Sequence, residues 1–111
     1  MYEALLIDGD RIHAMQMLRR LDSRSLRAHI IRDVEQAALA LRSSSTPFRI
    51  VIVNVSDAAQ PWLRNLEDLQ DAACIGGRFS PPQFLCVSTR RYEPRFELEI
   101  ERRGARYVFD R

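Results

Sequence analysis

The segment Phe48-Arg49-Ile50-Val51-Ile52-Val53-Asn54-Val55 constrains the rest of the chain most strongly. Its β-branched side chains lose χ1 freedom in a helix and fit the pleat of a strand. A strand apolar on both of its alternating faces has to be covered on both, which predicts a central position in a sheet with helices above and below.

The remaining segments supply those helices and the other strands. Ala4-Leu5-Leu6-Ile7 is a second continuous apolar run, closed by Asp8-Gly9-Asp10. After Asp10, a residue suited to capping a helix, Ile12, Met15, Leu18 and Leu21 recur at helical spacing. Leu26, Ala28 and Ile30 then alternate with Arg27 and His29, as an edge strand would. Asp33 caps a second helix with an apolar stripe of Val34, Ala37, Ala38 and Leu41, broken by Ser43-Ser44-Ser45-Thr46-Pro47. Pro61 opens a third helix through Trp62, Leu66, Leu69 and Ala73 until Gly76-Gly77. Ser80-Pro81-Pro82 leads into Phe84-Leu85-Cys86-Val87, and Tyr107-Val108-Phe109 is a fifth strand.

Between Pro94 and Gly104, Phe96, Leu98 and Ile100 alternate with glutamates, which is a strand period. A short helix is nonetheless favoured, since Glu99 and Arg103 can pair at i, i+4 and parallel strands need a crossover. A hairpin through Arg102-Arg103-Gly104 is the alternative. Alternating β and α segments imply right-handed crossovers and a three-layer α/β/α sandwich around a five-stranded parallel sheet.

At 111 residues the chain has room for one domain, 1–111. No apolar run approaches the roughly 20 residues needed to span a bilayer, and Tyr2-Glu3-Ala4 offers no basic leader, so a cytoplasmic location and no membrane partner are expected. Cys74 and Cys86 are expected to be reduced thiols acting as small hydrophobes. The net charge is only +2, with seventeen arginines, no lysine, and fifteen acids spread among them. Arg90, Arg91, Arg95, Arg102, Arg103 and Arg106 are interleaved with Glu93, Glu97, Glu99 and Glu101, so a salt-bridged surface is expected there and no direct nucleic-acid binding.

In a doubly wound sheet the site lies beyond the C-terminal strand ends, where strand order reverses. For an order 2-1-3-4-5 that crevice is bordered by Asp8, Gly9, Asp10, Asn54, Ser88 and Arg111. Leu6-Ile7-Asp8-Gly9-Asp10, Val51-Ile52-Val53-Asn54-Val55, Leu85-Cys86-Val87-Ser88-Thr89 and Gly104-Ala105 resemble, in order and spacing, a bacterial response-regulator receiver domain. The resemblance implies a flavodoxin/CheY-like fold with its last helix missing, as the N-terminal part of a longer regulator or an unusually short stand-alone version. It also implies two adjacent acids that hold Mg²⁺, an aspartate on the third strand that accepts a phosphoryl group, a hydroxyl on the fourth and a lysine on the fifth.

The chain departs from that pattern. Asp8 matches the first acid, Gly9 stands at the second, and Asn54 stands at the nucleophile, where a neutral amide cannot form an acyl phosphate. Ser88 matches the hydroxyl, and an ungapped count from Gly104-Ala105 puts Arg111 at the lysine. These replacements imply a degenerate receiver with no catalytic residue, metal or cofactor. Such a module would work through protein contacts, with its own output domain or as a homodimer, over a face including Phe96, Ile100, Tyr107 and Phe109.

Other readings stay beside this one. Asp8-Gly9-Asp10 also suits a turn and helix cap, and Asn54 suits a tie between loops. His13 and His29 are not expected to be metal ligands or catalytic groups, and Trp62 with Leu66 and Leu69 reads as core. Leu5-Leu6-Ile7-Asp8-Gly9-Asp10 also looks like the opening of PIN or NYN ribonucleases, which would require Asp8, Asp10, Asp57 and Asp110 to converge on metal. A small ligand in the vacated crevice is a third possibility.

Overall fold

The computed structural model describes residues 4–43, 48–75 and 81–110. The expected breaks at residues 44–47, at Gly76-Gly77 and at Ser80, the expected absence of a leader at residues 2–3, and Arg111 lie outside them.

The described elements alternate along the chain: β1 Ala4–Ile7, α1 Arg11–Ser23, β2 Ala28–Ile31, α2 Val34–Ser43, β3 Ile50–Asn54, α3 Trp62–Ile75, β4 Gln83–Ser88, α4 Pro94–Arg102 and β5 Arg106–Phe109. All four strand pairings are parallel, in the order β2-β1-β3-β4-β5. This is the flavodoxin/CheY-like α/β architecture. No described helix is long and apolar enough to cross a membrane.

The apolar runs of β1 and β3 are buried because helices cover both faces. On one face Leu5, Ile7, Val51, Val53, Phe84 and Cys86 pack with Ala37 and Leu41 of α2, Leu66 and Leu69 of α3, and Ile100 of α4. On the other, Leu6, Ile52 and Val87 meet Ala14, Met17 and Leu21 of α1. Each large side chain so buried is worth about 1.5–3 kcal/mol of transfer free energy. Cys86 and Cys74 are both free; burial pushes the Cys86 thiol up to about 12, which keeps it inert.

Residues 94–102 are helical, despite their strand-like alternation. Pro94 stands in the first turn, and Gly104, at φ +82, takes the left-handed conformation that ends the segment. Ile100 faces inward while Leu98 is half exposed. The expected stripe of α1 is corrected by one register: Ile12 is 74% exposed and Met15 46%, whereas His13, Ala14, Met17 and Leu21 are buried. Small Ala14 lets the helix approach the sheet, and His13 is drawn inward by carboxylates.

Candidate functional site

The C-terminal ends of β1, β3, β4 and β5 bring Asp8, Asn54, Ser88 and Asp110 to one end of the sheet. Asp10 caps α1, its carboxylate accepting from the backbone N–H of Ile12 at 3.0 Å and of His13 at 3.2 Å. That cap fixes the first turn of α1 and sets His13 over the strand ends.

His13 was not anticipated as a site residue, yet it is the centre of this one. Its Nδ1 lies 2.5 Å from Asp8 Oδ2, and its Nε2 lies 3.0 Å from Asp110 Oδ2. Arg20 Nη1 donates to Asp110 Oδ1 at 3.0 Å. Two carboxylates facing the two ring nitrogens favour an imidazolium that donates from both. Burial opposes the charge, but the hydrogen bonds to Asp8 and Asp110 and their fields hold the His13 pKa above its ordinary value. Desolvation likewise opposes ionised Asp110, but Arg20 and His13 keep its carboxyl below the usual range.

Asn54 completes the floor. Its Nδ2 donates to Asp8 Oδ1 at 2.9 Å, and its Oδ1 accepts from the backbone N–H of Ser56 at 3.0 Å and from Ser56 Oγ at 2.5 Å. Ser56 Oγ in turn accepts from the Thr89 N–H at 2.9 Å, so the amide ties the β3 and β4 loops together. Ser88 is fully buried and its hydroxyl serves its own turn, donating to Arg90 O at 2.7 Å and accepting from Arg90 N at 3.0 Å.

These contacts decide what the crevice can hold. Asp8 Oδ1 accepts from Asp10 N at 2.9 Å as well as from Asn54, and Oδ2 faces His13, so both oxygens are engaged. A hard divalent cation wants several available oxygens. With Gly9 and Asn54 as its neighbours, this donor set does not fit Mg²⁺. Gly9 is not forced by space, since a Cβ there would meet only Arg32 O, at 3.8 Å; what it lacks is a carboxylate.

Arg111, the expected counterpart of the lysine, lies outside the described residues, and the end of β5 is read from its neighbours. Ser88 pairs with Phe109, and Asp110 N donates to Ser88 O at 2.7 Å, so Asp110, directly after β5, brings its side chain to the crevice. Asp110 therefore brings a second acid to this end of the sheet, and His13 stands between it and Asp8.

The four acids of the nuclease reading are not gathered: Asp10 caps α1, Asp57 accepts from Ala59 N at 3.0 Å, and Asp8 and Asp110 are separated by His13. Among the described residues no group of three His, Cys, Asp or Glu side chains is placed to hold a metal ion.

Two surfaces flank the crevice. An open groove of about 1300 Å³ runs from Gly9, Asp10 and Asn54 between α2 and α3. Trp62, expected as core, packs partly on it and also lines this groove, its indole N–H donating to Asp57 O at 2.6 Å. On the far side Tyr92 stacks on Phe96 at 4.1 Å between centroids, and Phe96 meets Tyr107 edge-on at 6.4 Å. Arg91 lies 4.5 Å over the Phe109 ring, and Val108 is 45% exposed on edge strand β5. Of the expected interaction face, Phe96, Tyr107 and Phe109 are half-buried at this surface, but Ile100 is 1% exposed and belongs to the core. Arg103 pairs with Glu67 and Glu99, and Arg102 with Glu99, as the interleaved charges suggested.

No protein-family model and no curated protein matches the chain. Solved structures do. A Burkholderia pseudomallei response regulator, described with a phosphorylated aspartic acid, calcium ion and citrate, superposes with a TM-score of 0.76 at 15% identity, over 99% of this chain and 60% of that one. A two-component response regulator from Clostridium difficile gives 0.77 at 12% identity, over 99% and 84%. One from Thermotoga maritima gives 0.76 at 14%, over 99% and 85%. The chain therefore spans less than two thirds of the first of these proteins and most of the other two, and it has the fold of response-regulator receiver domains.

Proposed function

We propose that this chain is a receiver-like signalling module that acts by protein contact, without phosphoryl transfer. The observation that carries the reading is Asn54. The side chain at the floor of the crevice is a carboxamide, and both of its ends are consumed, by Asp8 and by Ser56. Phosphoryl transfer needs an anionic nucleophile and positive charge fixed where the phosphoryl oxygens collect. Here Asn54 offers no anion, and the nearest cation, His13, is held between Asp8 and Asp110. The likeness to response regulators supports a place in signal transduction, with output through a contact surface.

That surface is the α4 and β5 face. It combines an edge strand, the exposed Leu98 and Val108, and the half-buried Phe96, Tyr107 and Phe109. Exposed apolar side chains beside an unpaired strand edge favour association, and a second copy of the chain is the simplest partner.

Two measurements test the reading. Incubation with acetyl phosphate and Mg²⁺, followed by intact-mass analysis, should leave the chain unmodified; a phosphoryl adduct would refute it. Sedimentation should show self-association that Val108→Glu weakens by about tenfold or more; a monomer at all concentrations would remove the dimer from the proposal.

A further inference from the structure

The groove between α2 and α3 lies on a different surface from the α4 and β5 face, and its composition departs from that of the molecule. The chain as a whole carries a net charge of +2, yet six carboxylates and only two guanidiniums line this groove. Asp68 and Asp71 stand on one exposed stripe of α3 and Glu35 in the first turn of α2, and among the described residues none of the three is in an ion pair. The carboxylates are spread along the groove: Asp33 directly precedes α2 and Asp57 lies in the loop before α3, whereas Asp68 and Asp71 sit roughly 9 and 14 Å down α3 from Trp62. Apolar side chains share the lining with polar Gln60 and Asn65: Leu39 is 54% exposed, and Ala38 and Trp62 line the same cleft.

We infer that this groove docks a basic segment of a partner polypeptide, one in which arginine or lysine side chains alternate with a large apolar side chain. Spaced carboxylates match cations spaced along a backbone, which a single metal ion cannot do. Leu39 and Ala38 receive the apolar side chain, and Trp62 gives a guanidinium an aromatic face as well as nearby carboxylates. Docking there depends neither on the Asn54 amide nor on the α4 and β5 face, so it stands or falls separately from the function proposed above.

Trp62 is the only tryptophan in the chain, so its emission reports occupancy of the groove. The probe is a short peptide of alternating arginine and leucine, titrated into the full chain, with an alternating glutamate and leucine peptide as control. The expected result is a saturable change in Trp62 emission with the basic peptide alone. Its affinity should fall roughly tenfold as salt rises from about 50 to about 200 mM, and roughly tenfold again in Asp68→Asn/Asp71→Asn. Both substitutions are on the helix exterior and leave the fold intact, which circular dichroism verifies. Equal response to the acidic peptide, no saturation, or unchanged affinity in the double variant would overturn the inference. So would sedimentation showing that a second copy of the chain occupies the groove, seen as self-association abolished by the same double variant, or spermidine binding as tightly as the peptide.

Discussion

The crevice floor and the α2–α3 groove both hold carboxylates, and they treat them in opposite ways. At the floor, Asp8 is 1% exposed and Asp110 is largely covered, and each meets a cation of its own chain, His13 for both and Arg20 in addition for Asp110. In the groove, Asp68 and Asp71 face solvent with no ion-paired arginine among the described residues. A carboxylate removed from water must be compensated inside the molecule, whereas an exposed one costs little until a partner arrives. The difference separates charge that holds the fold from charge available to bind.

The hardest test of that distinction is His13→Leu. The variant leaves Asp8 and Asp110 facing each other without the intervening cation, and a broken buried pair costs about 3–5 kcal/mol. Urea unfolding should show a loss of that size; a change below about 1 kcal/mol would mean that the network does not hold the strand ends.

A gentler probe is pH. Because the folded pKa of His13 is raised, the stability it contributes is fully present below the unfolded value of about 6.5 and is lost as pH rises through the folded value. Because the folded pKa of Asp110 is lowered, its contribution is present above an unfolded value of about 4 and is lost as pH falls through the folded one. Stability should therefore be greatest between about pH 4 and 6.5 and decline on the alkaline side, by less than His13→Leu costs, because deprotonation leaves the ring in place. The alkaline decline should be absent in His13→Leu.

The smallest effect belongs to the groove. Asp68→Asn/Asp71→Asn should shift unfolding free energy by no more than about 0.5 kcal/mol, since neither side chain is in an ion pair among the described residues. A large shift would show that these acids are structural after all.

The fold was legible because its signals are local. Ala4–Ile7 and Ile50–Asn54 are apolar on both faces, Pro94 and Gly104 punctuate α4, and Asp10 and Asp33 stand where helices begin. The first and third strand ends were placed as well, so Asp8 and Asn54 were found at the crevice. The centre of the site was not, for two physical reasons. Ile12, Met15 and Leu18 share helical spacing with Leu21 and masked the stripe that carries His13, whose burial is driven by charge and not by hydropathy. Its second partner, Asp110, lies 97 residues away, and only the register of β4 with β5 brings it in.

The contacts from His13 and Arg20 to Asp110 close circuits of 97 and 90 residues. Closing loops of that length is entropically costly, so β5 has to dock before such side-chain links can form. The tie is then a latch set late in folding: weakening it chiefly hastens escape from the native state, while the rate of reaching that state changes little.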